Sequence, residues 1–171
     1  MENKTIESVQ ATNQSTFISP AAMLEHWQGH RRLTRKMIEA FPEDKLFTYS
    51  VGGMRPFAAL AMEMIQMTAP GIRGIVVGQW PSWQEVEKNY PVPSTREELL
   101  ALWDRTTEQL SSLWPHITSE RFQEVDKMFG QYEGTIYWNI LYLIDNEIHH
   151  RGQGYVYLRS LGITPPFFWE R

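Results

Sequence analysis

One decapeptide gathers most of the groups in this chain that could hold an ion or move a proton: Ile144-Asp145-Asn146-Glu147-Ile148-His149-His150-Arg151-Gly152-Gln153. It packs five potential metal-binding or proton-handling side chains and an arginine into an apolar segment with helical spacing. Burying an unpaired polar group costs several kcal/mol, so such a cluster either serves a site or is neutralised by partners. Side chains four apart on a helix stand one above the other. Asn146 and His150 could therefore hold one ion between them, while Glu147 and Arg151 could simply pair with each other. His149 points about 100° away from His150 and is a poorer candidate for the same site.

A second oddity lies far upstream. Between Arg55 and Arg73 the single charged residue is Glu63, flanked by Ala61-Met62 and Met64-Ile65. A carboxylate in an apolar helix needs a partner if it faces the core, and His150, Arg151 or a cation would serve. Glu63, Asn146 and His150 would form an oxygen-oxygen-nitrogen set between facing helices, where bundles build metal sites, with water or substrate filling the open positions. A buried Glu63–His150 or Glu63–Arg151 ion pair explains the same residues without an ion. His26 and His30 are also four apart. His30 falls on an inward stripe, where it either lines the same cavity or is a hydrogen-bonded core histidine. His149, Arg151 and Gln153 are further cavity-lining candidates.

The elements that must position these groups are helices. Ser19-Pro20 is a helix start, a capping hydroxyl followed by proline at the first position. Met23, Trp27, His30, Thr34, Met37 and Phe41 then recur at steps of four and three. The other face of that helix (Glu25, Arg31, Arg32, Arg35, Lys36, Glu39) reads as a solvated charged surface. A second helix begins at Pro56 and runs to about Thr68, where Pro70-Gly71 breaks or kinks it; Ile72 to Val77 could continue as a further piece. Residues 78–93 read as a long loop or linker, and residues 116–134 as irregular with a short turn or extended piece at Phe122 to Met128. Between them Ser94-Thr95-Arg96-Glu97 is a capping box opening a third helix that ends near Trp114-Pro115. The fourth and longest runs from Thr135 to about Leu161, closed by Gly162. The expected fold is an all-α four-helix bundle with a long crossover connection near residues 78 to 94, occupying residues 17–171 behind a loose arm over residues 1–16.

Composition excludes several classes of function. With 42% hydrophobic residues, 21% charged residues and a net charge of -4, the chain has no electrostatic footprint for nucleic acid. No apolar run reaches the ~20 residues of a membrane span, and the polar first residues lack the centre of a signal peptide. The absence of cysteine excludes disulfides, thiolate zinc sites and a cysteine nucleophile. A cytoplasmic location is the default. Seven Trp, seven Tyr and eight Phe point to an aromatic core or interface.

The string His149-His150-Arg151-Gly152-Gln153, followed by Tyr155-Val156-Tyr157-Leu158-Arg159 and Leu161-Gly162-Ile163, resembles the DinB/YfiT-like family. So do Gly53-Met54-Arg55-Pro56-Phe57 and the helix from Trp27 through Phe41. The resemblance spans roughly residues 20 to 165. It implies a four-helix bundle with a crossover, a homodimer, and a nickel or zinc ion held by three histidines. His150 falls on the third ligand position, Asn146 on the second and Glu63 near the first, so two of the three histidines are replaced. Harder oxygen donors shift the site's preference and weaken its hold. The resemblance implies a metal-dependent enzyme of the hydrolase or low-molecular-weight-thiol transferase type, with a modified site and an unspecified small-molecule substrate. The alternative is a metal-free bundle acting as a small-ligand-binding or dimeric interaction module.

Overall fold

Ser19 opens the first helix as its spacing requires: its hydroxyl accepts the Ala22 N–H at 3.1 Å, and Pro20 occupies the first position of α1 (Pro20–Ala40). The computed structural model describes residues 18–171, so the expected N-terminal arm lies outside the described residues. A short α2 (Glu43–Leu46) leads to α3 (Phe57–Val77), which ends at Gly78 in the left-handed region, φ 68°. Of the break or kink expected at Pro70-Gly71, the break does not occur, and Ile72 to Val77 continue the same helix. Pro70 removes one helical N–H, but Ala69, Ile72 and Ile75 are fully buried around it. A break would expose that apolar stripe.

The expected loop after α3 contains α4 (Trp83–Asn89), started by a capping box between Ser82 and Glu85. The box opening α5 (Arg96–Leu113) joins Thr95 to Glu98, one residue on from the expected tetrapeptide, and Ser94 N–H also donates to Glu98 at 2.8 Å. The stretch expected to be irregular forms a hairpin, β1 (Val125–Met128) with antiparallel β2 (Tyr132–Thr135), whose turn places Phe129 at φ 52° and Gly130 at φ 69°. The last helix, α6 (Ile136–Ser160), follows directly from β2.

Two apolar clusters divide the core lengthwise. One joins Trp27, Ile75, Leu110 and Ile140; the other joins Ile38, Phe57, Leu99 and Tyr157. Following each helix from one cluster to the other shows that α3 and α5 run parallel, with α1 and α6 opposed to them. The connection carrying α4 must therefore traverse the bundle, the crossover expected from its length. Both α3 and α5 pack beside α1 or α6, and α3 touches α6 along much of its length. Gly154 permits that approach: a Cβ there would lie 2.4 Å from the Phe57 ring.

A polar seam crosses the core where α1, α5 and α6 meet. Glu147 is 1% exposed; its Oε1 accepts from the Thr34 hydroxyl at 2.7 Å and its Oε2 from Trp27 Nε1 at 3.4 Å. Arg31 lies 3.6 Å from Oε2 and Arg151 3.8 Å from Oε1. The solvated face expected on α1 therefore has an exception, because Arg31 has no exposure at all. Its guanidinium donates to Thr107, Thr106 and the Trp103 carbonyl and sits 3.3 Å from the Trp103 ring centroid. Burial lowers its pKa to about 10 against the opposing pull of Glu147. Removing the carboxylate would leave two buried cations unmatched. Glu147→Gln is expected to lower unfolding free energy by about 3–5 kcal/mol in urea denaturation, as for other broken buried pairs; an unchanged midpoint would refute this assignment.

Candidate functional site

The seam fixes the rotation of α6, and with it the direction of the flanking side chains. One position before Glu147 and three after it, Asn146 and His150 turn towards α3. There they meet Glu63, which α3 presents two turns below its N-terminus. His150 Nε2 lies 2.8 Å from Glu63 Oε1, and Asn146 Nδ2 donates to the same oxygen at 3.2 Å. The other carboxylate oxygen accepts from Arg55 at 2.5 Å. On the far side of the imidazole, His150 Nδ1 is 3.1 Å from Gln153 Oε1, and Gln153 Nε2 is 3.3 Å from His149 Nε2. The three residues expected to share a site are thus brought together, with His149 and Gln153 forming a chain behind them.

His30 and Arg151, the other expected cavity residues, face elsewhere. Arg151 donates to His30 Nδ1 at 2.9 Å on the α1 side of α6, away from Glu63. Arg55 is the residue that sequence reasoning missed. It lies just before the N-terminus of α3 and is the nearest charged residue upstream of Glu63.

Charges in the cluster are matched. The hydrogen bond from His150 holds the Glu63 carboxyl near a pKa of about 2, with Arg55 and Asn146 adding to it against the cost of burial. Burial pulls the His150 imidazole down, but Glu63 and Gln153 outweigh it and leave its pKa above the ordinary value. Arg55, Glu63 and Asn146 pave a pocket of about 290 Å³ walled by Trp83, Tyr132 and Tyr142. Asn146 Oδ1 is buried with no hydrogen-bond partner among the described residues. Such a pocket suits a small molecule with a flat apolar part and a polar group that reaches the floor. Among the described residues, no group of three or more His, Cys, Asp or Glu side chains is placed to share an ion.

The fold of this chain is shared with two solved DinB-like proteins. That from Bacillus subtilis superposes with a TM-score of 0.70 at 20% identity, covering 87% of this chain and 99% of the other. That from Bacillus cereus gives 0.65 at 21% identity, covering 86% and 95%. The chain belongs to the DinB family, whose family model matches residues 7–170. No curated protein matches it.

The neighbouring His30 supplies a test by pH. It is 4% exposed, and burial, followed by the charges of Arg151, His26 and Arg171, lowers its pKa from 6.5 to about 3. The unfolded chain therefore takes up a proton below about pH 6.5 that the folded chain refuses until about pH 3. Stability contributed by this group is complete above the unfolded pKa and lost as pH falls, with a slope of at most about 1.4 kcal/mol per pH unit. His30→Gln is expected to show a shallower fall between pH 6 and pH 4 than the parent in urea unfolding series. Equal slopes would show that His30 titrates normally.

Proposed function

We propose that this DinB-family chain binds a small molecule between α3 and α6 without a resident metal, with the Glu63–His150 pair serving as the proton-handling group at the pocket floor. The observation that carries this reading is the occupancy of the Glu63 carboxylate: one oxygen is held by Arg55 and the other by His150 and Asn146. A divalent ion would have to displace the Arg55 guanidinium or stand against its charge. The donors available to the ion are one carboxylate, one amide and one imidazole, in place of the three imidazoles that the family resemblance implies. Amides bind such ions weakly. By contrast, the pocket beside this cluster offers a ligand the Glu63 and Asn146 side chains at its floor, and the Trp83, Tyr132 and Tyr142 rings offer flat contact.

One observation favours a second reading, a metal-dependent hydrolase or thiol transferase. Turning the Asn146 amide by half a rotation would set its unpartnered oxygen beside Glu63 and His150, completing a three-donor set. Metal analysis of tag-free protein grown with nickel or zinc separates the readings. The first expects well under one ion per chain and no rise in thermal midpoint on adding either metal, because a ligand of the folded state must raise it. One ion per chain, lost in His150→Ala, would overturn it in favour of the second. A positive test follows the Asn146 side-chain amide by NMR during titration with small amphipathic aromatic fragments. Its resonances are expected to move with the ring signals of Trp83 and Tyr142, and movement confined to other surfaces would refute the pocket assignment.

A further inference from the structure

A second cavity, on the opposite side of α6, holds more hydrogen-bond donors than the described residues satisfy. It measures about 490 Å³ and lies between α6 and the segment 165–171, with Arg151, Arg159 and Arg171 lining it beside Tyr155, Phe167 and Trp169. His30 stands at its base. Arg151 Nη2 approaches His30 Nδ1 to 2.9 Å, and Arg171 Nη1 approaches His30 Nε2 to 3.1 Å. A neutral imidazole has one acceptor nitrogen and one N–H. Whichever tautomer His30 adopts, one of the two arginines therefore faces an N–H instead of a lone pair.

The rest of the cavity repeats the imbalance. The exposed Arg159 side chain has no hydrogen-bond or ion-pair partner among the described residues, and the buried Tyr155 hydroxyl has none among them either. Among the described residues, no Asp or Glu side chain lines the cavity. Glu147 lies behind Arg151, bonded to Thr34 and Trp27, while Glu170 acts on Tyr155 from beside the cavity. The walls are apolar and flat: the Phe167 and Trp169 rings stack at 4.7 Å and are each about half exposed or more.

We infer that this cavity is a binding site for a small aromatic carboxylate. The carboxylate would accept from the arginine that His30 cannot satisfy, from Arg159 and from the Tyr155 hydroxyl. Its ring would lie against Phe167 and Trp169. Planar guanidinium donors suit a carboxylate, and arginine also stacks on aromatic faces. This site shares no lining residue with the pocket over Glu63 and does not depend on how that pocket is read.

Calorimetric titration with 2-naphthoate tests the inference, with 2-naphthylmethanol and inorganic phosphate as controls. Arg159→Gln and Arg171→Gln remove donors on an exposed face and leave the buried Arg151 in place. Saturable one-to-one binding of naphthoate is expected, weakened about tenfold or more by each substitution, the scale of a lost charged hydrogen bond. Naphthylmethanol is expected to bind far more weakly than naphthoate. Equal binding of the alcohol would overturn the inference by showing an apolar pocket without anion recognition. Equal binding of phosphate would overturn it by showing that the ring contributes nothing. Naphthoate binding that both variants retain but Tyr142→Ala abolishes would place the ligand over Glu63 and likewise overturn it.

Discussion

One buried carboxylate, Glu147, is the constraint around which three helices are arranged. Two guanidinium groups would be prohibitively costly in the interior without it, and it would be costly without them. Arg31 comes from α1 and is anchored on α5 through Thr106, Thr107 and the Trp103 carbonyl, while Arg151 comes from α6 itself. Apolar packing alone tolerates small slips and rotations of one helix on another. A charge that must meet two partners and a threonine hydroxyl does not. The seam therefore sets the register and rotation of α6 more narrowly than its leucines and isoleucines could.

Both candidate sites follow from that rotation. With Glu147 turned to the seam, Asn146 and His150 face α3, and Arg151 and Tyr155 face the segment that returns after the helix. The glycine opposite Phe57 lets α6 come close enough to α3 for a hydrogen bond between His150 and Glu63. The two sites differ in electrostatic character. Around Glu63 each charge meets an opposite one, so the cluster is stable as it stands. Around His30 the positive groups outnumber their acceptors.

Much of this was legible in the sequence, and the misses have physical causes. Capping residues at Ser19 and near Thr95, the three-four spacing of α1 and the closing Gly162 report local structure, which the chain writes locally. The length of the connection after α3 foretold the crossover. Glu63, Asn146 and His150 were found because a lone polar group in an apolar helix needs a partner. Arg31 was misread because its neighbours Arg32, Arg35 and Lys36 belong to a charged face, and no local pattern reveals that Trp103 and Glu147 wait for it on other helices. Of the two readings open for His30 and for Arg151, the structure takes the hydrogen-bonded core histidine and the Glu147 pairing over the shared cavity: inwardness is periodic, but which interior surface a side chain meets depends on how the helices are arranged. Pro70 failed as a breaker because burial on both sides of it outweighed a single lost bond. The Ser82–Glu85 cap was readable and was passed over among the prolines and tryptophans that surround it.

The pocket over Glu63 is built from parts of unequal permanence. Its floor rests on α3 and α6, two long helices packed against each other. Two of its walls, Trp83 and Tyr132, stand on a seven-residue helix and a four-residue strand. Those short elements hold each other through the Trp83–Phe129 stack, with ring centroids 4.8 Å apart. Substitutions in the crossover and the hairpin can therefore reshape what this pocket admits while the acid and the imidazole beneath stay where the two long helices put them.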